Sequence, residues 1–331
     1  MVEKLPLVSI IVPNYNHDKY LQQRLDSVFN QTYLNFEVVL LDDCSTDSSQ
    51  QILLEYAKDN KVSHCIFNET NSGNTFIQWN KGISLAKGDF IWIAESDDLC
   101  ELNFLEELIR PLIQDAEIVL SYCQSKRIDE FNAITGDWLN HTDSLDKNLF
   151  LSDFTMDGND FVERFLIYRN VIPNASGVLF RKSAAFSMEV LETENFLKYC
   201  GDWLFYMKLI TNKKVAFYST AFNYYRYHSQ SVIAIAHKTG KFLAYNGVDI
   251  NVRKKMKEFL VSEKPSNLKG ILNINKQISN DLKYERAFYL IRNQEKIKGF
   301  LLLISILKVF IREYKFRKNL ELRLNKILSK N

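Results

Sequence analysis

No Cys-x-x-Cys pair occurs in the sequence, and its five cysteines (Cys44, Cys65, Cys100, Cys123 and Cys200) are scattered and odd in number. This excludes a disulfide framework and a zinc ribbon, and leaves the reduced, mostly buried thiols expected of a cytosolic protein. A secretory signal is also lacking. Leu7–Val12 is apolar, but Pro13 and Asn14 end the run and no small-residue cleavage site follows. The glycosylation-like triplet Asn174-Ala175-Ser176 is then a chance match. Neither sign of charge is in excess, and a net charge of +2 gives no whole-chain case for nucleic-acid binding. No apolar run approaches the roughly 20 residues that cross a bilayer. Repeats and low-complexity tracts are absent. A dehydrogenase would need G-x-G-x-x-G after a strand, which does not occur, and the turn Pro13–His17 offers no glycine for a nucleotidyltransferase phosphate loop.

What is present is ordinary globular material, 46% hydrophobic and 25% charged. With 331 residues there is room for one large α/β domain plus an accessory region. Apolar runs at Leu7–Val12, Phe36–Leu41, Val62–Phe67, Phe90–Ala94 and Ile118–Ser125 predict strands. Helical patterns over Tyr20–Asn30, Ser48–Lys58, Thr75–Ala86 and Asn103–Gln114 separate them. Nearly continuous apolar strands alternating with helices predict a mostly parallel sheet covered by helices on both faces. Such sheets bind ligands beyond the carboxyl ends of their strands. Lys126–Asp157 is polar and turn-like. Helical periodicity returns at Asn159–Tyr168, followed by predicted strands at Ser176–Phe180, Val215–Tyr218 and Phe222–Tyr227 and a helix at Asp202–Thr211 between them. A boundary near Ala236 divides an α/β domain, 1–236, from a helical C-terminal region, 237–331, interrupted near Pro265.

Three strand ends carry candidate chemistry. The first ends in Pro13-Asn14-Tyr15-Asn16, where proline stops the ladder and Tyr15 is either a stacking surface for a base or a half-buried turn residue. The second ends in Asp42-Asp43-Cys44-Ser45-Thr46-Asp47. Ionised Asp43 would accept from a base N–H or ribose hydroxyls, while Ser45 or Asp47 is a ready N-cap for the next helix. The fourth ends in Glu95-Ser96-Asp97-Asp98. Three acids leaving an apolar strand are expensive unless a cation gathers them, and Mg²⁺ or Mn²⁺ with diphosphate oxygens would do so.

These pieces, together with Ser9-Ile10-Ile11-Val12 before them, Asn71-Ser72-Gly73 and Lys87-Gly88-Asp89, resemble glycosyltransferase family 2, whose fold is GT-A. The resemblance spans roughly the first 100 residues. It implies nucleotide contacts from Pro13, Tyr15, Asp43, Asn71 and Asp97, with Tyr15 stacked on the base and Asp43 reading it. It implies that Asp97 and Asp98 form the short acidic metal motif, with Asp98 the direct ligand of Mn²⁺ or Mg²⁺. Glu95 stands where many relatives have Asp, which leaves it outside the expected metal contacts. Further on, Cys200-Gly201-Asp202-Trp203-Leu204-Phe205 resembles the segment that supplies the family's catalytic base, so Asp202 takes that role, with a helix N-cap as the alternative. Tyr224-Tyr225-Arg226-Tyr227-His228-Ser229-Gln230-Ser231 resembles the family's closing segment, in which His228 would join the metal or the diphosphate.

The implied activity is inverting transfer of a sugar from a nucleotide diphosphate, a UDP-sugar first among them, to a glycan or lipid-linked glycan on the cytosolic face of a membrane. Gly299–Ile311 is strongly apolar and is followed by Arg312, Lys315, Arg317, Lys318 and Arg323. Residues 299–323 are expected either to lie on an anionic membrane surface or to pack on the domain. The remaining alternatives are a nucleotidyltransferase and a sugar-nucleotide-binding scaffold without turnover, against which Asp98 and Asp202 argue.

Overall fold

The computed structural model describes residues 5–186, 193–194, 197–198, 200–228, 242–307 and 311, with the backbone alone at 242–246. The first third alternates β1 (Val8–Asn14), α1 (Asp18–Phe29), β2 (Phe36–Asp42), α2 (Ser49–Tyr56), β3 (Val62–Phe67), α3 (Thr75–Leu85) and β4 (Phe90–Ile93). Then come β5 (Leu99–Cys100), α4 (Phe104–Gln114), β6 (Ile118–Ile128), β7 (Ile134–Asp137), α5 (Leu139–Thr142), β8 (Phe154–Asp157) and α6 (Gly158–Phe161). The remainder comprises β9 (Val178–Arg181), α7 (Lys182–Phe186), α8 (Gly201–Ile210), β10 (Lys214–Arg226), α9 (Phe242–Glu263), α10 (Leu268–Arg292) and α11 (Lys296–Ser305).

One sheet joins these strands in the order β3-β2-β1-β4-β9-β6-β10-β5, with β7 beside β6 and β8 beside β10. The β3-to-β4 half is parallel, as the apolar strand runs predict. β9 runs antiparallel to both β4 and β6, so the sheet is mixed, although β6 and β10 regain the direction of β1. Strand direction past β4 depends on long connections that carry no periodic signal. Alternation along β1 divides two cores. Val8, Ile10 and Val12 face Leu21 and Leu25 of α1 and Phe104 and Leu108 of α4. Ile11 faces Phe76 and Trp79 of α3 and the apolar side of α8. Each such fully buried aliphatic side chain contributes about 1.5–3 kcal/mol.

Pro13 does not stop the ladder. β1 stays paired with β2 to Asn14↔Asp42. The missing N–H faces β4, whose pairing with β1 has already ended at Ile11↔Ile93. The two strands predicted within 215–227 form one strand, β10, bent by register shifts between Tyr218 and Asn223. Asn159–Tyr168 is a short helix that widens into a π turn over Val162–Leu166.

The expected boundary at Ala236 lies outside the described residues. Beyond it, Val252, Met256 and Leu260 of α9 and Ile271 of α10 join the same core as α8. Arg253 is buried over the Trp203 ring and donates to the carbonyls of Ile167 at 2.8 Å and Tyr168 at 3.1 Å. α11 differs. Gly299 lets it approach α10, since a Cβ there would lie 2.7 Å from the Ala287 carbonyl oxygen. Ile297, Phe300, Leu301 and Ile304 are 54–78% exposed. Among the described residues no helix is long and apolar enough to cross a membrane. The basic stretch 312–323 lies outside them.

Candidate active site

The ends of β1, β2 and β4 meet at one edge of the sheet. After β1, Asn14 Nδ2 donates to Asp42 Oδ2 at 2.8 Å, and the Asn16 amide donates to Ser45 Oγ at 2.9 Å. Asn16 adopts a left-handed φ of 54°, which asparagine tolerates. Between these anchors Tyr15 is 44% exposed, a ring surface held at the edge. Asp47 accepts from the amides of Ser49 at 3.0 Å and Asp18 at 2.9 Å, so it ties the starts of α2 and α1 together, with Ser48 in the N-cap position.

Asp43, expected to read the base, is buried and already engaged. Its oxygens accept from Asn68 Nδ2 at 2.7 Å, Gln78 Nε2 at 2.8 Å, Ser72 Oγ at 2.7 Å and the Ser72 amide at 3.0 Å. Those donors occupy the acceptor capacity of an ionised carboxylate. Asn71 lies beside it at the surface, donating to the Asp43 carbonyl at 3.0 Å and accepting from Gly73 N at 2.7 Å, where Gly73 turns through a φ of 69°. The Lys87-Gly88-Asp89 piece lies at the other end of β1. A Cβ on Gly88 would meet the Leu7 carbonyl oxygen at 2.6 Å, so its glycine serves packing.

The acidic loop after β4 separates its carboxylates by environment. Glu95 accepts from Trp79 Nε1 at 2.7 Å, and burial followed by the Asp97 charge pushes its pKa up to about 8. Asp98 accepts from the Arg226 amide at 2.9 Å and Asn174 Nδ2 at 3.1 Å; burial and Asp97 raise its pKa. Arg24 opposes that rise from beneath. Its guanidinium is fully buried 4.9 Å from the centre of the Trp92 ring. Asp97 faces the other way. Its Oδ2 lies 3.1 Å from His228 Nε2, and His17 and His228 outweigh burial and lower its pKa. One ligand atom each from His17, Asp97 and His228 lies within 4.8 Å of the others.

Asp98 accepts hydrogen bonds from Arg226 and Asn174, while Asp97 and His228 come together and are joined by His17. Two imidazoles and a carboxylate fit a divalent first-row ion. Sequence reasoning passed over His17, although it directly follows the Pro13–Asn16 turn. It also passed over Asn174 and Arg226, of which Arg226 stood inside a quoted motif. Ser229–Ser231 of that motif lie outside the described residues.

Asp202 stands in the first turn of α8, one residue past its start and not at the N-cap, which is Cys200. It accepts from Asn170 Nδ2 at 2.9 Å, and burial pushes its pKa up to about 6 against the opposing pull of the Trp203 amide and Asn170. Trp203 Nε1 bonds the Leu166 carbonyl at 2.7 Å, and a Cβ on Gly201 would strike the Phe76 ring at 2.7 Å, so this turn is pinned. Tyr225 lies in the fields of both groups: its hydroxyl pKa is raised by burial, then by Asp98, Asp97, Tyr227 and Asp202. Tyr225 thus lies between Asp202 and the acidic loop in its electrostatic surroundings.

A sheet ordered 3-2-1-4, continued by a reversed strand and carrying an acidic loop after its fourth strand, defines a GT-A type of fold. Residues 9–182 match Glycosyl transferase family 2, and the chain belongs to that family. Glycosyltransferase GlyG of Streptococcus pneumoniae serotype 4 is 32% identical over 194 residues, covering 58% of this chain and 56% of that protein. The chain thus spans about half the length of the curated relatives it matches. Staphylococcus aureus TarS 1-349 in complex with UDP-GlcNAc aligns with a TM-score of 0.59 at 17% identity over 91% of each chain. Mannosyltransferase PcManGT from Pyrobaculum calidifontis, in complex with GDP-Man and Mn²⁺, aligns with a TM-score of 0.54 at 13% identity, covering 99% of this chain and 82% of that one.

Proposed function

We propose that the protein transfers a sugar, with inversion, from a nucleotide diphosphate donor to an acceptor hydroxyl of a glycan or lipid-linked glycan. The observation carrying this is a cation-type cluster, His17, Asp97 and His228, together with a half-buried carboxylate of raised pKa, Asp202, with Tyr225 in the field of both Asp97 and Asp202. Tyr15 stacks on the base, and Asn71 lies beside it on a loop that Asp43 moors. Pro13 shapes the turn that presents Tyr15. Asp97 and His228 hold Mn²⁺ or Mg²⁺, which when bound neutralises charge on the leaving diphosphate.

Asp202 accepts the proton of the acceptor hydroxyl as the acceptor oxygen bonds to the anomeric carbon. The bond from that carbon to the diphosphate oxygen breaks on the opposite face, and its electron pair leaves with the nucleotide. A base with a pKa near 6 is ionised at neutral pH yet more basic than an ordinary aspartate. Residues 1–236 form the transfer domain, and 237–331 a helical extension whose apolar α11 face rests on the cytosolic side of a membrane. UDP is the nucleotide we favour, a choice supported by the UDP-GlcNAc bound in the TarS structure.

A panel of UDP-, GDP- and dTDP-sugars with Mn²⁺ or Mg²⁺ tests the reading. One nucleotide class should raise the melting temperature by mass action, and its sugar should appear on an acceptor with inverted anomeric configuration. No shift with any nucleotide, or a product of retained configuration, would overturn it.

A further inference from the structure

We infer that His17 turns the cation site into one built by the protein itself, with two imidazoles and one carboxylate, loaded before the nucleotide and selective for Mn²⁺ over Mg²⁺. This rests on the metal-dependent reading above and extends it to an order of binding and a class of ion.

His17 occupies the N-cap position of α1, where Ser, Thr, Asp or Asn would bond the first-turn amides, and its side chain makes no such bond. The ring turns instead to the acidic loop, where its Nδ1 lies 2.8 Å from Ser96 Oγ. Ser96 is 1% exposed and directly precedes Asp97. With Nδ1–H donated to Ser96, the ring's lone pair is on Nε2, the arrangement in which an outer-shell partner orients a ligating imidazole. The His17 and His228 rings meet edge to face with centroids 5.6 Å apart, and the Asp97 carboxylate completes the triad. Tyr20 packs against both rings, at 6.4 Å from His17 and 5.3 Å from His228.

The donor types decide the ion. Mg²⁺ prefers oxygen and keeps its waters, so a nucleotide diphosphate usually supplies much of its binding energy. Imidazole nitrogens suit first-row transition ions better than Mg²⁺, and Mn²⁺, though the weakest binder of that series, accepts the mixed nitrogen and oxygen set that Mg²⁺ resists. Three protein ligands retain such an ion without nucleotide and leave positions open for diphosphate oxygens.

The test is Mn²⁺ binding to the full chain without nucleotide, followed by electron paramagnetic resonance of free Mn²⁺ and repeated with Mg²⁺ as competitor. Wild type should bind one Mn²⁺ and release it only to a large excess of Mg²⁺. His17→Gln should weaken Mn²⁺ by at least the roughly 10-fold that an outer-shell partner alone is worth. Spin-echo modulation on the wild-type Mn²⁺ complex should count two imidazoles, a readout that needs no variant. Unchanged Mn²⁺ affinity in His17→Gln, or a single imidazole, would overturn the inference while leaving Asp97 and His228 as metal ligands. Binding of Mn²⁺ only in the presence of UDP would do the same. Failure of Mn²⁺ to bind even with UDP would instead remove the metal-dependent reading itself.

Discussion

The backbone amide of Arg226 donates to Asp98 Oδ1 at 2.9 Å, joining the end of β10 to the acidic loop across 128 residues of chain. The same arginine reaches back with Nε to the Asp97 carbonyl at 2.7 Å and stacks its guanidinium 4.6 Å from the centre of the Tyr20 ring. Neighbouring aspartates are thereby given different work: Asp98 anchors the loop, and Asp97 is presented.

That division predicts opposite phenotypes. Asp98→Ala strands the Arg226 amide and Asn174 Nδ2 in a buried setting, and each unpaired donor costs about 1–3 kcal/mol. Its melting temperature should fall with or without metal. Asp97→Ala should leave thermal stability near wild type and abolish the Mn²⁺-dependent part of nucleotide binding. Thermal unfolding measured beside UDP affinity decides it, and matching phenotypes would refute the division.

Asp202→Asn keeps the side-chain shape and an acceptor for Asn170 but removes the proton acceptor. Transfer should fall roughly 10²–10⁴-fold while donor affinity stays unchanged. Wild-type transfer should decline about tenfold per pH unit below pH 6, following the ionised fraction of Asp202. The sign for stability is opposite to that of an ion-paired carboxylate. Its pKa rises from 3.8 to about 6 on folding, so ionisation penalises the folded state increasingly between those values and fully above them. The variant should therefore be the more stable protein at pH 7.5, by up to about 3 kcal/mol, and show no gain at pH 3.5. Equal melting temperatures at pH 7.5 would contradict the buried carboxylate.

Tyr15 and Asp43 separate binding from architecture. Tyr15→Ala removes an exposed ring, so melting temperature should hold while nucleotide affinity drops by about 1–3 kcal/mol, the value of one aromatic stack. Asp43→Ala releases Asn68, Ser72 and Gln78 together and should lower both. Calorimetric titration with UDP distinguishes them, and a Tyr15→Ala protein with wild-type affinity would place the base elsewhere.

The exposed face of α11 offers a fourth test. Replacing Ile297, Phe300, Leu301 and Ile304 by serine should leave folding and nucleotide binding intact, because none is in the core. Sedimentation with anionic liposomes should fall sharply, and wild-type binding should weaken with salt. Wild type that stays in the supernatant at low salt would exclude the membrane role.

β1, β2 and β4 were legible in the sequence because parallel strands buried on both faces read as largely apolar runs, as in Val38–Leu41, whereas the half-buried edge strand β3 gave a weaker signal broken by Ser63 and His64. The motifs lay at the right strand ends for the same reason. Which of Asp97 and Asp98 would pair with His228 was not legible, since a loop has no period to say which way each carboxylate turns. His17 was obscured because its partners, Ser96, Asp97 and His228, lie at least 79 positions away. Pro13 misled because its effect depends on which neighbour its missing N–H faces, and β4 diverges before reaching it.

The burial of Val252, Met256, Leu260 and Ile271 against the core that carries α8 has a bearing on how the protein is made. A chain emerging from the ribosome completes its acidic loop early, yet the helix presenting Asp202 lacks its apolar cover until Ile271 has cleared the exit tunnel. Stalled or prematurely terminated chains ending before α10 would thus be born with the edge formed by β1, β2 and β4 complete and Asp202 unsupported.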